Sequence, residues 1–178
     1  FGIAGPVYGR IFRNELHISG KKLIYNNFVN LAIEGEMAVV IGGDIKIINA
    51  FPVIELHNFI FRAKSKTLTE LIANNAINAG VVISEKSVSK PINKWANAKT
   101  LTVKVNGKII DSGNLWAMEG GAKEAVTWLQ QNLSKHGFSL KPGDLVLTGT
   151  PLSLHHTRSG DHIGVFVDNY ELVTCKIV

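Results

Sequence analysis

Hydrophobic and polar positions change period several times along this chain, and each change marks an element. Ala32 to Ile41 is apolar apart from Glu34, Gly35 and Glu36, and it reads as a buried or half-buried strand. Phe51 to Leu56 reads as a second, short strand carrying Glu55. Leu68, Leu71, Ile72, Ala76 and Ala79 then recur at helical spacing. Thr67-x-x-Glu70 forms a capping box at the start of that helix, and Gly80 can end it in the left-handed conformation. Val81 to Ser84 is extended again.

Leu101 to Val105 and Lys108 to Ile110 flank Asn106-Gly107, a pair suited to the positive φ of a type I′ turn, so they predict a hairpin. A second helix runs from about Ala122 to His136 on the stripe Ala122, Ala125, Val126, Leu129 and Leu133. Lys135 and His136 sit at its negative dipole end, and Gly137 follows as a stop. Pro142-Gly143 turns the chain into a strand from Leu145 to Thr148. Two more strands, near Ile163 to Val167 and Glu171 to Val178, complete the pattern. Strands that outnumber helices, without strand–helix alternation, predict an α+β fold for residues 1–178 as a single domain.

Composition narrows the class. The chain has 178 residues, 46% hydrophobic and 19% charged, enough to fold around one sizeable core. No apolar run reaches the roughly 18 residues that span a bilayer, and the first residues lack the pattern of a signal peptide, so no membrane is expected as a partner. The first residue is Phe1, which points to a fragment of a longer chain. Cys175, the single cysteine, has no internal partner and fits a reducing, cytoplasmic setting; its spacing with Val173 and Ile177 makes it a packing residue. The formal charge is +5, but the basic residues are scattered and no nucleic-acid-binding motif accompanies them. A solvated, mildly basic surface is the simpler reading, and small organic acids would also suit it.

The chemistry concentrates in Ile33-Glu34-Gly35-Glu36-Met37-Ala38. In a strand, residues two apart face the same side, so Glu34 and Glu36 stand together. Two carboxylates in apolar surroundings repel each other and are costly to desolvate, so a positive charge must compensate. Mg²⁺ or Mn²⁺ would do so through hard oxygen ligands. Glu55, in Phe51-Pro52-Val53-Ile54-Glu55-Leu56, is a third acid in the same kind of setting. Glu-x-Glu also occurs on solvated faces paired with lysines, and spacing alone does not bring the three together.

Asn75 lies on the apolar side of its predicted helix, with Asn78 similarly placed. Asn75 contacts a ligand, orients a metal ligand, or bonds a neighbouring backbone group. Thr148-Gly149-Thr150 ends an apolar strand with two hydroxyls around a glycine that lets a ligand come close; the same residues suit an ordinary turn. His57 shares a face with Glu55 and reads as structural. His155 and His156 point apart, and no H-E-x-x-H or Cys/His set is present.

Taken in order, Pro6-Val7-Tyr8-Gly9, Ile33-Glu34-Gly35-Glu36-Met37-Ala38, Pro52-Val53-Ile54-Glu55, Asn75-Ala76, Leu140-Lys141-Pro142-Gly143-Asp144-Leu145-Val146-Leu147-Thr148-Gly149-Thr150-Pro151 and Ser159-Gly160-Asp161 resemble the fumarylacetoacetate hydrolase superfamily. The glutamate of Pro52-x-x-Glu55 resembles the branch of 2-keto-4-pentenoate hydratases and 4-oxalocrotonate decarboxylases; the superfamily's C–C bond hydrolases typically carry an aspartate there. The resemblance implies a mixed, β-rich α+β catalytic domain with a few packed helices. It implies Glu34, Glu36 and Glu55 as ligands of Mg²⁺ or Mn²⁺, and Asn75, Thr148, Gly149 and Thr150 as substrate-binding residues.

The implied reaction is that of a lyase on a short unsaturated 2-oxo or 2-hydroxy acid, by hydration or decarboxylation. A homo-oligomer, in some cases joined by a related subunit, is the implied assembly. An acylpyruvate-type C–C hydrolase and a non-catalytic paralogue acting as a partner subunit are the alternative readings. The family's active-site lysine belongs to a segment preceding Pro6, so no catalytic residue is assigned in this chain. Val7 stands where an acidic residue is common, and Ile77 and Asn78 where serines are. Glu36 to Glu55 is shorter than the family pattern, which predicts residues missing between Gly42-Gly43-Asp44 and Phe51.

Overall fold

The computed structural model describes residues 5–61 and 66–178. In chain order its strands are β1 (Leu16–Ile18), β2 (Lys21–Leu23), β3 (Leu31–Ile41), β4 (Ile47–Asn58), β5 (Asn78–Ile83), β6 (Lys90–Pro91), β7 (Leu101–Val105), β8 (Lys108–Gly113), β9 (Leu145–Leu147), β10 (His155–His156), β11 (His162–Val167) and β12 (Tyr170–Ile177). The α-helices are α1 (Leu68–Ala73) and α2 (Gly121–Ser134). One sheet has seven strands along the path β1-β5-β4-β3-β10, with β6 on β4 and β9 on β3. The other has five, in the order β2-β12-β11-β7-β8. Pairing is parallel at β1/β5 and β2/β12 and antiparallel elsewhere, so the fold is a mixed, β-rich α+β architecture. No helix among the described residues is long and apolar enough to cross a membrane.

Strand β3 lies at the centre and serves two environments. Ile33, Met37, Val39 and Ile41 point into the core between the sheets, with Ile54, Leu56 and Val82 from their own sheet and Val103, Ile163, Val165 and Cys175 from the other. A strand buried on both faces explains the near-continuous apolar run. Gly35 marks the closest approach, since a Cβ there would collide with the side chain of Val103. Cys175 is a buried core residue, and burial pushes its thiol up to about 12. The opposite face of the larger sheet carries a smaller apolar cluster of Ala38, Phe51, Val53 and Val81. Glu34, Glu36, Glu55 and His57 continue that face along β3 and β4.

Several elements differ from the sequence reading. Strand β4 is twice the expected length, and the five residues 42–46 join it to β3. Asp44 and Ile45 adopt φ of 53° and 57° to close this turn. In this chain the five-residue turn joins β3 and β4 into a continuous antiparallel hairpin.

The helix expected to reach Gly80 stops at Ala73. Its start is as read: Thr67 Oγ1 accepts from the Glu70 N–H and the Glu70 carboxylate accepts from the Thr67 N–H. Its end is set by the Asn74 side chain, which donates to Glu70 O at 2.7 Å, and by left-handed backbone at Asn75, Ala76 and Ile77. Three such residues in a row reverse the chain, so Asn78 opens a strand instead of extending a helix. Asn106 and Gly107 have φ of 53° and 80°, as the type I′ hairpin requires.

Candidate metal centre

The register of β3 against β4 builds the site. Glu34 lies directly opposite Glu55, Glu36 opposite Val53, and Ala32 opposite His57. Glu36 is therefore the diagonal neighbour of Glu55 on the same face, within reach of a long side chain. Glu36 is 1% exposed, while the side chains of Glu34 and Glu55 are 21% and 18% exposed. The structure thus brings together the three acids that the sequence singled out.

Burial raises the Glu36 carboxyl well above its usual value. The charge of Glu55, a shared hydrogen bond with it and the charge of Glu34 add to this, against the Gly149 N–H. Glu36 is accordingly the protonated partner and donates to Glu55. Burial also acts to raise Glu55. The hydrogen bond and charge of His57, with the bonds from Glu36 and Asn78, outweigh burial and hold it below its usual value.

His57 Nε2 stands 3.2 Å from Glu34 Oε2 and 3.4 Å from Glu55 Oε2. Burial disfavours its charge, but these two carboxylates push its pKa up to about 10. A shared proton and an imidazolium thus supply the positive charge that the acids demand. This is the electrostatic condition that a divalent cation satisfies with the same oxygen donors, so Glu34, Glu36 and Glu55 fit such an ion chemically. Among the described residues, Glu34, Glu55 and His57 are the group of candidate donors whose ligand atoms all lie within 4.8 Å of one another.

Two neighbouring segments hold the acids. The Gly149 N–H donates to Glu36 Oε1 at 2.5 Å. The flanking hydroxyls of Thr148 and Thr150 donate to Met37 O at 2.8 Å and Gly35 O at 2.6 Å, so they fasten this strap to β3. Gly149, with φ of 82°, is the member of the Thr-Gly-Thr segment whose backbone meets the carboxylates. On the other side Asn78 Nδ2 donates to Glu55 Oε1 at 3.0 Å. The Gly80 N–H donates to Asn78 Oδ1, which fixes the amide so that its nitrogen faces the acid.

Asn75 is placed differently. Its amide accepts from the Arg10 N–H and donates to Arg10 O, both at 2.7 Å, and Gly9 packs tightly against it. It clamps the Pro6-Val7-Tyr8-Gly9 segment, which also touches α2 through Tyr8 and Trp128. The amide at the carboxylates belongs to Asn78, which the sequence marked only as a companion. His57, read as structural, stands among the acids; its place two residues after Glu55 was the available signal.

A cavity lies elsewhere, away from the acids. About 990 Å³ in volume, it runs between the β3–β4 turn and α2, lined by Trp95, Trp116 and Val126 among others. None of the clustered acids lines it.

The class is set by a β-rich α+β fold that presents converging carboxylates on one sheet face. Residues 12–177 match the model of the fumarylacetoacetate (FAA) hydrolase C-terminal family, and the chain belongs to that family. It is 27% identical over 161 residues to 2-keto-4-pentenoate hydratase of Paraburkholderia phymatum, covering 83% of this chain and 61% of that protein. It is 24% identical over 197 residues to 2-oxo-hept-4-ene-1,7-dioate hydratase of Escherichia coli, covering 99% of this chain and 72% of that one. The structure superposes on 4-oxalocrotonate decarboxylase from Pseudomonas putida, complexed with magnesium and adipate. The TM-score is 0.90 at 18% identity, covering 99% of this chain and 72% of that one. These relatives lie in the hydratase and decarboxylase branch that the sequence resembles. The chain spans only 61% of the length of the Paraburkholderia enzyme.

Proposed function

We propose that this chain is the metal-binding part of a divalent-metal-dependent lyase acting on short unsaturated 2-oxo or 2-hydroxy acids. The observation that carries this reading is the convergence of Glu34, Glu36 and Glu55 on one largely buried face, with a shared proton and His57 set against their charge. Glu34, Glu36 and Glu55 would hold the ion, Mg²⁺ or Mn²⁺. When bound, such an ion supplies Lewis acidity toward the oxygens of a 2-oxo acid. The chain's own residues prepare the place: the Gly149 N–H orients Glu36, Asn78 orients Glu55, and Thr148 and Thr150 fasten the strap. The names of the hydratase and decarboxylase relatives support the lyase class and the small acidic substrate.

Product analysis tests the reading. Incubation of the metal-loaded protein with 2-hydroxy-2,4-dienoic acids is expected to yield a single 4-hydroxy-2-oxo acid, or CO₂ when the substrate carries a second, vinylogous carboxylate. Cleavage of acylpyruvates into two acids, with no turnover of dienoates, would replace the lyase by a C–C hydrolase.

A further inference from the structure

His57 is not accounted for by three carboxylate ligands. Its side chain is 9% exposed, and Nε2 points between Glu34 and Glu55. Its other nitrogen, Nδ1, is buried without a hydrogen-bond partner among the described residues. The polar contacts that orient the ring are thus those to the two acids. A ring nitrogen of His57 and one carboxylate oxygen each of Glu34 and Glu55 all lie within 4.8 Å of one another, close enough to meet on a single ion. The residue opposite His57 on β3 is Ala32, which offers the ring no polar side-chain partner.

We infer that His57 is a nitrogen ligand of the metal centre. It joins the carboxylates through Nε2, as a neutral imidazole with its proton on Nδ1. This rests on the metal-dependent reading above and refines it. Three oxygen donors alone suit Mg²⁺ and Mn²⁺ comparably. An added imidazole moves the preference toward first-row ions that bind nitrogen well, such as Fe²⁺ and Co²⁺, following the general rise in affinity along that row. The centre is a mixed nitrogen–oxygen site whose selectivity is set by His57.

Pulsed electron paramagnetic resonance on the intact protein with one equivalent of Mn²⁺ tests this directly, because a ligating imidazole couples its ¹⁴N nucleus to the electron spin. Nitrogen modulation is expected in the wild-type chain and absent in both His57→Val and His57→Gln. In parallel, titrations of Co²⁺ and Mg²⁺ should show the Co²⁺/Mg²⁺ affinity ratio falling about tenfold or more in both variants. Thermal melts of the metal-free variants establish that they fold, and the wild-type spectrum stands without them. Mn²⁺ bound at a site abolished by Glu36→Gln, but without nitrogen modulation and with an unchanged affinity ratio, overturns the role of His57 alone. Absence of any saturable Mn²⁺ binding overturns the metal-dependent reading as well.

Discussion

Asn78→Ala removes the side-chain amide that touches Glu55. In the native chain Asn78 Nδ2 donates to Glu55 Oε1 at 3.0 Å, and the Gly80 N–H fixes the amide by donating to Oδ1. A hydrogen bond to a charged group contributes about 1.5–3 kcal/mol. Glu55 is held below its usual carboxylate value, so this bond is made to an ionised acid. Without it Glu55 gains rotamer freedom, and part of that bond energy is lost from any ion it holds. Residues that orient metal ligands typically change affinity about 10- to 100-fold when removed. The expected result is a Mn²⁺ dissociation constant raised by about that factor, measured by calorimetry at fixed pH and salt. A urea titration of the metal-free variant, read beside it, separates the local effect from global destabilisation. Asn78→Asp places a further carboxylate against Glu55 and changes the charge of the site, so Asn78→Ser, which keeps a hydroxyl donor, is the more informative partial rescue. Mn²⁺ affinity in Asn78→Ala within about twofold of wild type would show that Glu55 needs no such support, and the reasoning fails.

Further outcomes follow from the same packing. Gly35→Ala forces a Cβ against Val103 and Val165 and should cost about 1–3 kcal/mol in urea unfolding; an unchanged midpoint would mean the sheets can separate freely. His57, raised from 6.5 to about 10, adds stability to the metal-free protein that is fully present below pH 6.5 and is lost as pH rises through 10. Stability should therefore fall across that window by up to about 1.4 kcal/mol per pH unit, and His57→Gln should flatten the profile. Asn75→Ala breaks both bonds to the Arg10 backbone and should expose the segment around Tyr8 to protease while leaving Mn²⁺ affinity unchanged; altered affinity without altered proteolysis would return Asn75 to the site.

Much of the candidate site could be read from the period of the chain. Glu34 and Glu36 face one side because strand side chains alternate, and Glu55 was conspicuous as an acid in an apolar strand. Their meeting depends on register, and register depends on the β3–β4 turn. That turn needs left-handed backbone at Asp44 and Ile45, and a β-branched isoleucine gives no sequence signal for positive φ. The second helix was legible because its apolar stripe is packed as the period demands.

The first helix was overextended for a related reason. Ala76 and Ala79 continue the helical spacing, but the left-handed run at Asn75–Ile77 ends it early. That reversal puts Asn75 on the Arg10 backbone and Asn78 on Glu55, although periodicity had placed the two alike. The short strands β1, β2, β6 and β10 have two or three residues each, too few for any period to show.

The most direct measurement is calorimetric titration of Mg²⁺ and Mn²⁺ into the intact chain beside Glu36→Gln. The account predicts one saturable site that the variant loses, since glutamine keeps the volume of Glu36 but cannot supply an anionic oxygen. No saturable binding by the wild-type chain, or equal binding by both proteins, would contradict it.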